Sequence, residues 1–158
     1  MIDFIKNKIS GKKILILGFG REGESTLRFL RKHFPKLKIT IADQNSHVQK
    51  LHDEFTEIIS GASYLDSLKE YNLIIKSPGI QLNECSCKIP PHLITSQTNL
   101  FLEFYATQII GVTGTKGKST TSSLIYHIIK LYSDNVVLVG NIGIPAFDTI
   151  DVINPSTF

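Results

Sequence analysis

Two short stretches place glycines, hydroxyls and lysines at spacings suited to holding phosphate. The first is GFGREG, residues 18–23, directly after the apolar run KKILIL. It fits G-x-G-x-x-G. In that pattern Gly18 allows a tight turn, Gly20 lets a ligand approach the backbone, and Gly23 lets a helix pack closely on a strand. The N-terminus of the following helix can then hold a phosphate through its unbonded amides and its dipole. Asp43 lies 20 residues beyond Gly23 and ends the next apolar run, where dinucleotide-binding folds keep a ribose-binding acid. Arg21 and Glu22 are unusually charged for a pyrophosphate turn. The glycines equally suit a tight turn with no ligand, and Asp43 a solvated strand end. A nucleotide is favoured, and its identity is open on these residues.

The second stretch is TGTKGKST, residues 113–120, after Ile109-Ile110. The strict phosphate-loop pattern G-x-x-x-x-G-K-[ST] fails, because Val112 holds the first glycine position. Its working parts are nevertheless present. Gly114 and Gly117 let backbone amides converge on phosphate oxygens. Lys118 can reach the β- and γ-phosphates as a mobile cation, and Ser119 can offer a hydroxyl to Mg²⁺. Thr120 is a second hydroxyl or a helix cap. Lys116 either supports the phosphates or is an exposed loop lysine. Asn141, in GNIG, is either a polar ligand contact or a turn former.

The elements that must position these residues alternate. KKILILGFG reads as a strand buried on both faces, as in a parallel sheet. ESTLRFLRKHF reads as a helix with Leu27, Leu30 and Phe34 on one face, closed by Pro35. LKITIAD is a strand, VQKLHDEF a short helix, EIIS a strand, and YNLIIKSPGI a strand running into a turn. LITS is a short strand and NLFLEFYA a short helix. The implied fold class is α/β: a Rossmann-like, mostly parallel sheet with helices on both faces, over residues 1–106. Ligands of such sheets bind at the carboxyl ends of the strands. Gly18, Gly20, Gly23, Asp43, Gly61 and Ser77-Pro78-Gly79 all fall there. From about residue 107 the pattern restarts: QIIGVTG as strand, KSTTSSLIYHIIKLY as helix with Leu124, Ile128 and Leu131 on one face, NVVLVGN as strand. Residues 107–158 thus read as the first βαβ unit of a second domain, cut short. Such a unit leaves sheet uncovered, so it is expected either to dimerise or to be disordered.

The 158 residues carry a net charge of +3 with lysines scattered, which gives no nucleic-acid footprint. Cys85 and Cys87 with His92 offer at most three metal ligands, so free thiols are expected. No apolar run approaches the roughly 18 residues of a membrane span, and MIDFIKNKISGKK lacks a signal-peptide core. A cytoplasmic protein without membrane partners is the default.

TGTKGKST followed by GNIG resembles the Mur ligase family. GFGREGEST, the strand ending in Asp43, and SPGI resemble most its D-glutamate-adding branch, and the likeness covers essentially the whole chain. The resemblance implies that the first domain holds the UDP part of UDP-N-acetylmuramoyl-L-alanine rather than NAD. Gly18, Gly20, Arg21, Glu22 and Gly23 would then face the diphosphate, and Asp43 the uracil or its ribose. Ser77, Pro78 and Gly79 would line the nucleotide pocket, and Asn141 would reach the sugar-diphosphate end. Residues 107–158 become the start of the family's central P-loop ATP-binding domain. There Gly114, Thr115, Lys116, Gly117, Lys118, Ser119 and Thr120 would hold ATP, with Lys118 and Ser119 catalytic and Ser119 on Mg²⁺. The implied reaction is ATP-dependent amide formation in peptidoglycan precursor synthesis, a cell-wall pathway tied to cell shape and division. A substrate carboxylate is phosphorylated with release of ADP, and the amine of D-glutamate then displaces phosphate. The family's remaining catalytic parts would follow Phe158, so this segment by itself is expected to be inactive. The alternatives are a Mur ligase that adds another amino acid, an NAD-binding oxidoreductase, and a non-catalytic nucleotide sensor.

Overall fold

The run Ile14–Leu17 forms strand β1, and all four side chains are buried. Continuous burial is what a central parallel strand requires, since both its faces are covered. In the computed structural model, which describes residues 1–45, 54–82, 89–140 and 143–158, β1 is the middle of a five-stranded sheet. The other strands are β2 (Ile39–Asp43), β3 (Thr56–Ser60), β4 (Leu73–Lys76) and β5 (Ile94–Thr95). Every pairing is parallel, and the order is β3-β2-β1-β4-β5. The α/β, Rossmann-like expectation therefore holds. Register aligns the strand ends: Leu17 lies beside Ala42 on one side and Lys76 on the other. The next residues, Gly18, Asp43 and Ser77, consequently emerge at one edge of three adjacent strands.

The chain divides into two compact units, residues 1–100 and 101–158. The first opens with helix α1 (Ile2–Ile9), which buries Ile5 and Ile9, one turn apart. Helix α2 (Arg21–His33) packs on the sheet through Gly23, Ser25, Thr26, Phe29 and Leu30. This corrects the expected face. Leu30 is buried, but Leu27 and Phe34 are only half-buried. The face centres on small residues because α2 lies so close to β1 that a Cβ on Gly23 would sit 3.5 Å from Ile16 Cγ2 and 2.2 Å from the Gly18 oxygen. The opposite face of β1 presents Leu15 and Leu17 to Ala42, Leu68, Tyr71 and Ile74. There a short 3₁₀ turn, Leu68–Glu70, supplies cover. The helix expected over residues 48–55 lies mostly outside the described residues, and residues 54–55 form a turn. Cys85 and Cys87 also lie outside them.

Helix α3 (Gln97–Tyr105) crosses the division between the units. In the second unit, helix α4 (Lys118–Lys130) forms where the sequence predicts it. The strands expected on either side of it do not form among the described residues, which show only an isolated bridge between Val139 and Ile144. A strand exists only in a ladder. Here the backbone of the NVVLVG run bonds to other residues of its own unit: the Val137 amide donates to the Phe158 carbonyl, and the Phe158 amide to that of Asn135. The apolar face of α4 is as predicted in composition but not in burial. Leu124, Ile128 and Leu131 are 59%, 49% and 80% exposed. Among the described residues no helix is long and apolar enough to cross a membrane.

Candidate functional site

The sheet order reverses between β1 and β4, where the chain leaves β1 toward β2 and later returns to β1's other side. The crevice outside the strand ends at such a point is where open parallel sheets bind ligands. The turn after β1 forms one wall. Gly18 has φ +89°, a left-handed value that side chains resist. A Cβ there would also meet Ser77 Cβ and Ile80 Cγ1 at 2.9 Å. Gly20 is the N-cap of α2, with extended backbone and open space around its Cα. The amides of the first α2 turn, Arg21 to Gly23, have no carbonyl one turn earlier in the helix to receive them. A helix start with such amides suits an anion.

Asp43 closes the second wall. Its Oδ2 accepts the Phe19 amide at 2.6 Å, and its Oδ1 accepts the Asn45 amide at 2.7 Å. The Gly61 amide donates to the Asp43 carbonyl at 3.2 Å. From β4, the Ser77 hydroxyl donates to the Gly18 carbonyl at 2.9 Å, and the Ser77 amide to the Leu17 carbonyl at 2.8 Å. Pro78 and Gly79 are exposed on the turn beyond β4. The Lys76 ammonium wraps that turn, donating to the carbonyls of Ser77 at 3.0 Å and Ile80 at 2.9 Å.

Of the two charged residues in the turn after β1, Arg21 is exposed and Glu22 is half-buried. Glu22 Oε2 is enclosed without a hydrogen-bond partner among the described residues. An enclosed atom is not a wall a ligand can touch, so the placement counts against the Glu22 carboxyl as a diphosphate contact and leaves its backbone amide in the first turn of α2. Burial pushes its carboxyl above the ordinary carboxylate value, and the charge on Lys76 opposes this in part. Beside it, Gln97, fully buried at the start of α3, donates through Nε2 to the Glu22 carbonyl and to the hydroxyls of Ser25 and Thr26.

The raised value has a signed consequence. Above the ordinary carboxylate range the unfolded chain has released this proton while the folded chain still holds it. Stability therefore falls as pH rises through the window between the two values. Glu22→Gln removes that loss. Denaturant unfolding is expected to find the variant's stability relative to wild type improving from pH 4 to pH 8. No such trend would mean that Glu22 titrates normally.

In the second unit, Gly117 is the left-handed N-cap of α4, with φ +78°, and Gly114 has φ +148°. Residues 114–120 are all exposed. Lys118 Nζ folds back to donate to the Gly114 carbonyl, so Lys118 lies across its own loop. Thr115, Lys116, Ser119 and Thr120 stand on the same turn, while Asn141 lies outside the described residues. Each glycine cluster thus gathers its predicted residues within its own unit. Lys76, Gln97 and the Phe19 amide are the participants that sequence reasoning missed. Lys76 had a signal, as the one charge in the strand LIIK; Gln97 had none.

Residues 12–89 match the family described as Mur ligase MurD-like, N-terminal domain. This part of the chain is a MurD-like N-terminal domain of the Mur ligase family. Likeness to individual proteins extends beyond it. The chain is 31% identical over 160 residues to a UDP-N-acetylmuramoylalanine–D-glutamate ligase of Caldicellulosiruptor bescii, covering 94% of this chain and 34% of that protein. It is 38% identical over 143 residues to the ligase of the same name from Leptospira interrogans, covering 87% of this chain and 29% of that protein. A UDP-N-acetylmuramoyl-L-alanine–L-glutamate ligase of Salinispora tropica is 32% identical over 149 residues, covering 89% of this chain and 33% of that protein. The chain spans about a third of the length of these relatives. The crevice at the β1/β4 switch point belongs to the MurD-like domain, and the glycine loop before α4 lies beyond the family match but within the aligned relatives.

Proposed function

We propose that the MurD-like domain holds the UDP moiety of UDP-N-acetylmuramoyl-L-alanine, and that the chain serves an ATP-dependent ligase adding D-glutamate to it in peptidoglycan synthesis in the cytoplasm. The observation that carries this reading is the common register of β1, β2 and β4. It delivers Gly18–Gly23, Asp43 and Ser77 to one crevice at the switch point. The diphosphate would lie against the first turn of α2, where amides and the helix dipole favour negative charge. Asp43 and the Ser77-Pro78-Gly79 turn would bound the nucleoside end. Asn141 remains a proposed contact from the second unit.

The loop Gly114–Thr120 fits ATP with Mg²⁺. The Lys118 ammonium already rests on a carbonyl oxygen of that loop, so exchanging it for a phosphate oxygen needs only a side-chain movement. The exposed Ser119 hydroxyl is the metal-ligand candidate. Lys118 would neutralise charge on the phosphoryl group being transferred, and the amides around Gly117 would orient it. ATP supplies the activation of the substrate carboxylate.

Both D-glutamate and L-glutamate ligases are similar to this chain at nearly equal identity. The choice of D-glutamate follows the larger number of relatives carrying that name. An ADP-release assay with the UDP substrate and either enantiomer decides it. Turnover with D-glutamate alone is expected. Turnover with L-glutamate alone would reassign the amino acid and leave the nucleotide site intact.

A further inference from the structure

The two residues that sequence reasoning assigned to the ligand, Asp43 and Ser77, meet on one peptide unit. The Gly18 carbonyl and the Phe19 amide belong to the same planar group. Ser77 Oγ donates to the carbonyl from the β4 side at 2.9 Å, and Asp43 Oδ2 accepts from the amide on the β2 side at 2.6 Å. The third side is closed by Gly23, whose missing Cβ leaves room for the Gly18 oxygen. Asp43 is itself held in place, because its Oδ1 takes the Asn45 amide. Rotating this peptide plane would break both hydrogen bonds at once.

We propose that Asp43 and Ser77 are positioning residues that clamp the Gly18–Phe19 peptide and so aim the nucleotide-binding turn, acting on the ligand through that plane. The proposal rests on the reading of this crevice as the UDP site. The clamp commits the Phe19 amide to Asp43, which leaves the anion to the amides of the α2 first turn. It also couples the two residues. Losing either one frees the plane, and losing the second then adds little. Two independent ligand contacts would instead give losses that multiply.

Amide hydrogen exchange of the 158-residue chain, with UDP affinity measured by calorimetry, tests this. The variants are Asp43→Asn, Ser77→Ala, their double variant, and Ser77→Thr, which keeps the hydroxyl. Asparagine presents an NH₂ donor in place of one acceptor, so it cannot satisfy both the Phe19 and Asn45 amides. Ser77 does not touch the Phe19 amide, yet Ser77→Ala is expected to speed exchange there about tenfold or more, as local opening becomes easier. Amides of Ile14–Leu17 should be unchanged, which separates local release from unfolding. UDP affinity is expected to fall up to about tenfold in each single variant, the scale of one hydrogen bond. It should fall no further than about twofold more in the double variant, and Ser77→Thr should recover both readouts. Unchanged Phe19 exchange in Ser77→Ala, or losses that multiply in the double variant, would overturn the clamp. Should wild type itself not bind UDP, the assignment of the ligand fails, while Phe19 exchange still decides the clamp.

Discussion

Gly23→Ala is expected to cost the MurD-like domain about 3 kcal/mol or more, the upper end for inserting one methyl into a filled space. Gly23 is buried in α2, and a Cβ there would sit 2.2 Å from the Gly18 oxygen and 3.2 Å from its carbonyl carbon. Both are backbone atoms, so no side chain can swing aside. Relief requires α2 to lift from β1 or the Gly18 turn to move. The first exposes the face around Thr26 and Leu30, and the second breaks the bonds from Ser77 and Asp43. A melting temperature lower by roughly 15 °C, measured calorimetrically, is the corresponding shift for a unit of this size. Gly20→Ala is the control, because a Cβ added at Gly20 would meet nothing within 4 Å. A Gly23→Ala domain as stable as the Gly20→Ala domain would mean that α2 does not pack closely on β1.

If the loop before α4 is the ATP site proposed above, Lys118→Ala should lower ATP-dependent turnover by about 10²–10³-fold, the cost of removing one group that stabilises charge in the transition state. UDP binding should be unaffected, since the proposed UDP contacts at Gly18–Gly23, Asp43 and Ser77 do not include Lys118. The separation matters more than the size of the loss. Lys116→Ala provides the comparison. Lys116 is exposed on the same turn, so an equally large loss there would point to general electropositive character. Steady-state kinetics together with UDP calorimetry read both quantities. Full turnover in Lys118→Ala would remove this loop from the proposed ATP site.

The parallel sheet was legible because central parallel strands leave a specific trace. KKILIL and NLIIK are apolar without alternation, and each ends at a glycine or proline turn. Strands are shared structures, however, and their partners are not written locally. QIIGVTG has the composition of a strand, yet no strand forms there among the described residues. The face of α2 was misjudged for a related reason. Leu27 and Phe34 look like core residues, but a helix that crosses a strand at glycine distance buries its small side chains. Ser25 and Thr26 are acceptable there because Gln97 bonds to their hydroxyls. Helix α1 carried its signal in Ile5 and Ile9, one turn apart in an eight-residue segment that also holds Asp3, Lys6 and Lys8.

At the site, residue type and position were legible, and partners were not. Strand ends and glycines placed Gly18, Asp43 and Ser77 at one edge correctly. That Asp43 would turn both oxygens onto backbone amides depends on the φ of Gly18 and on the register of β2 against β1, neither of which spacing reveals. Glu22 was expected to face the diphosphate, and burial of its Oε2 came from the packing of α2.

The most direct test of the account is amide NMR of the 158-residue chain titrated with UDP and, separately, with NADH. Saturable shifts at Gly20–Gly23 with UDP, undisturbed by added NADH, are expected. NADH binding at those amides and displacing UDP would contradict it.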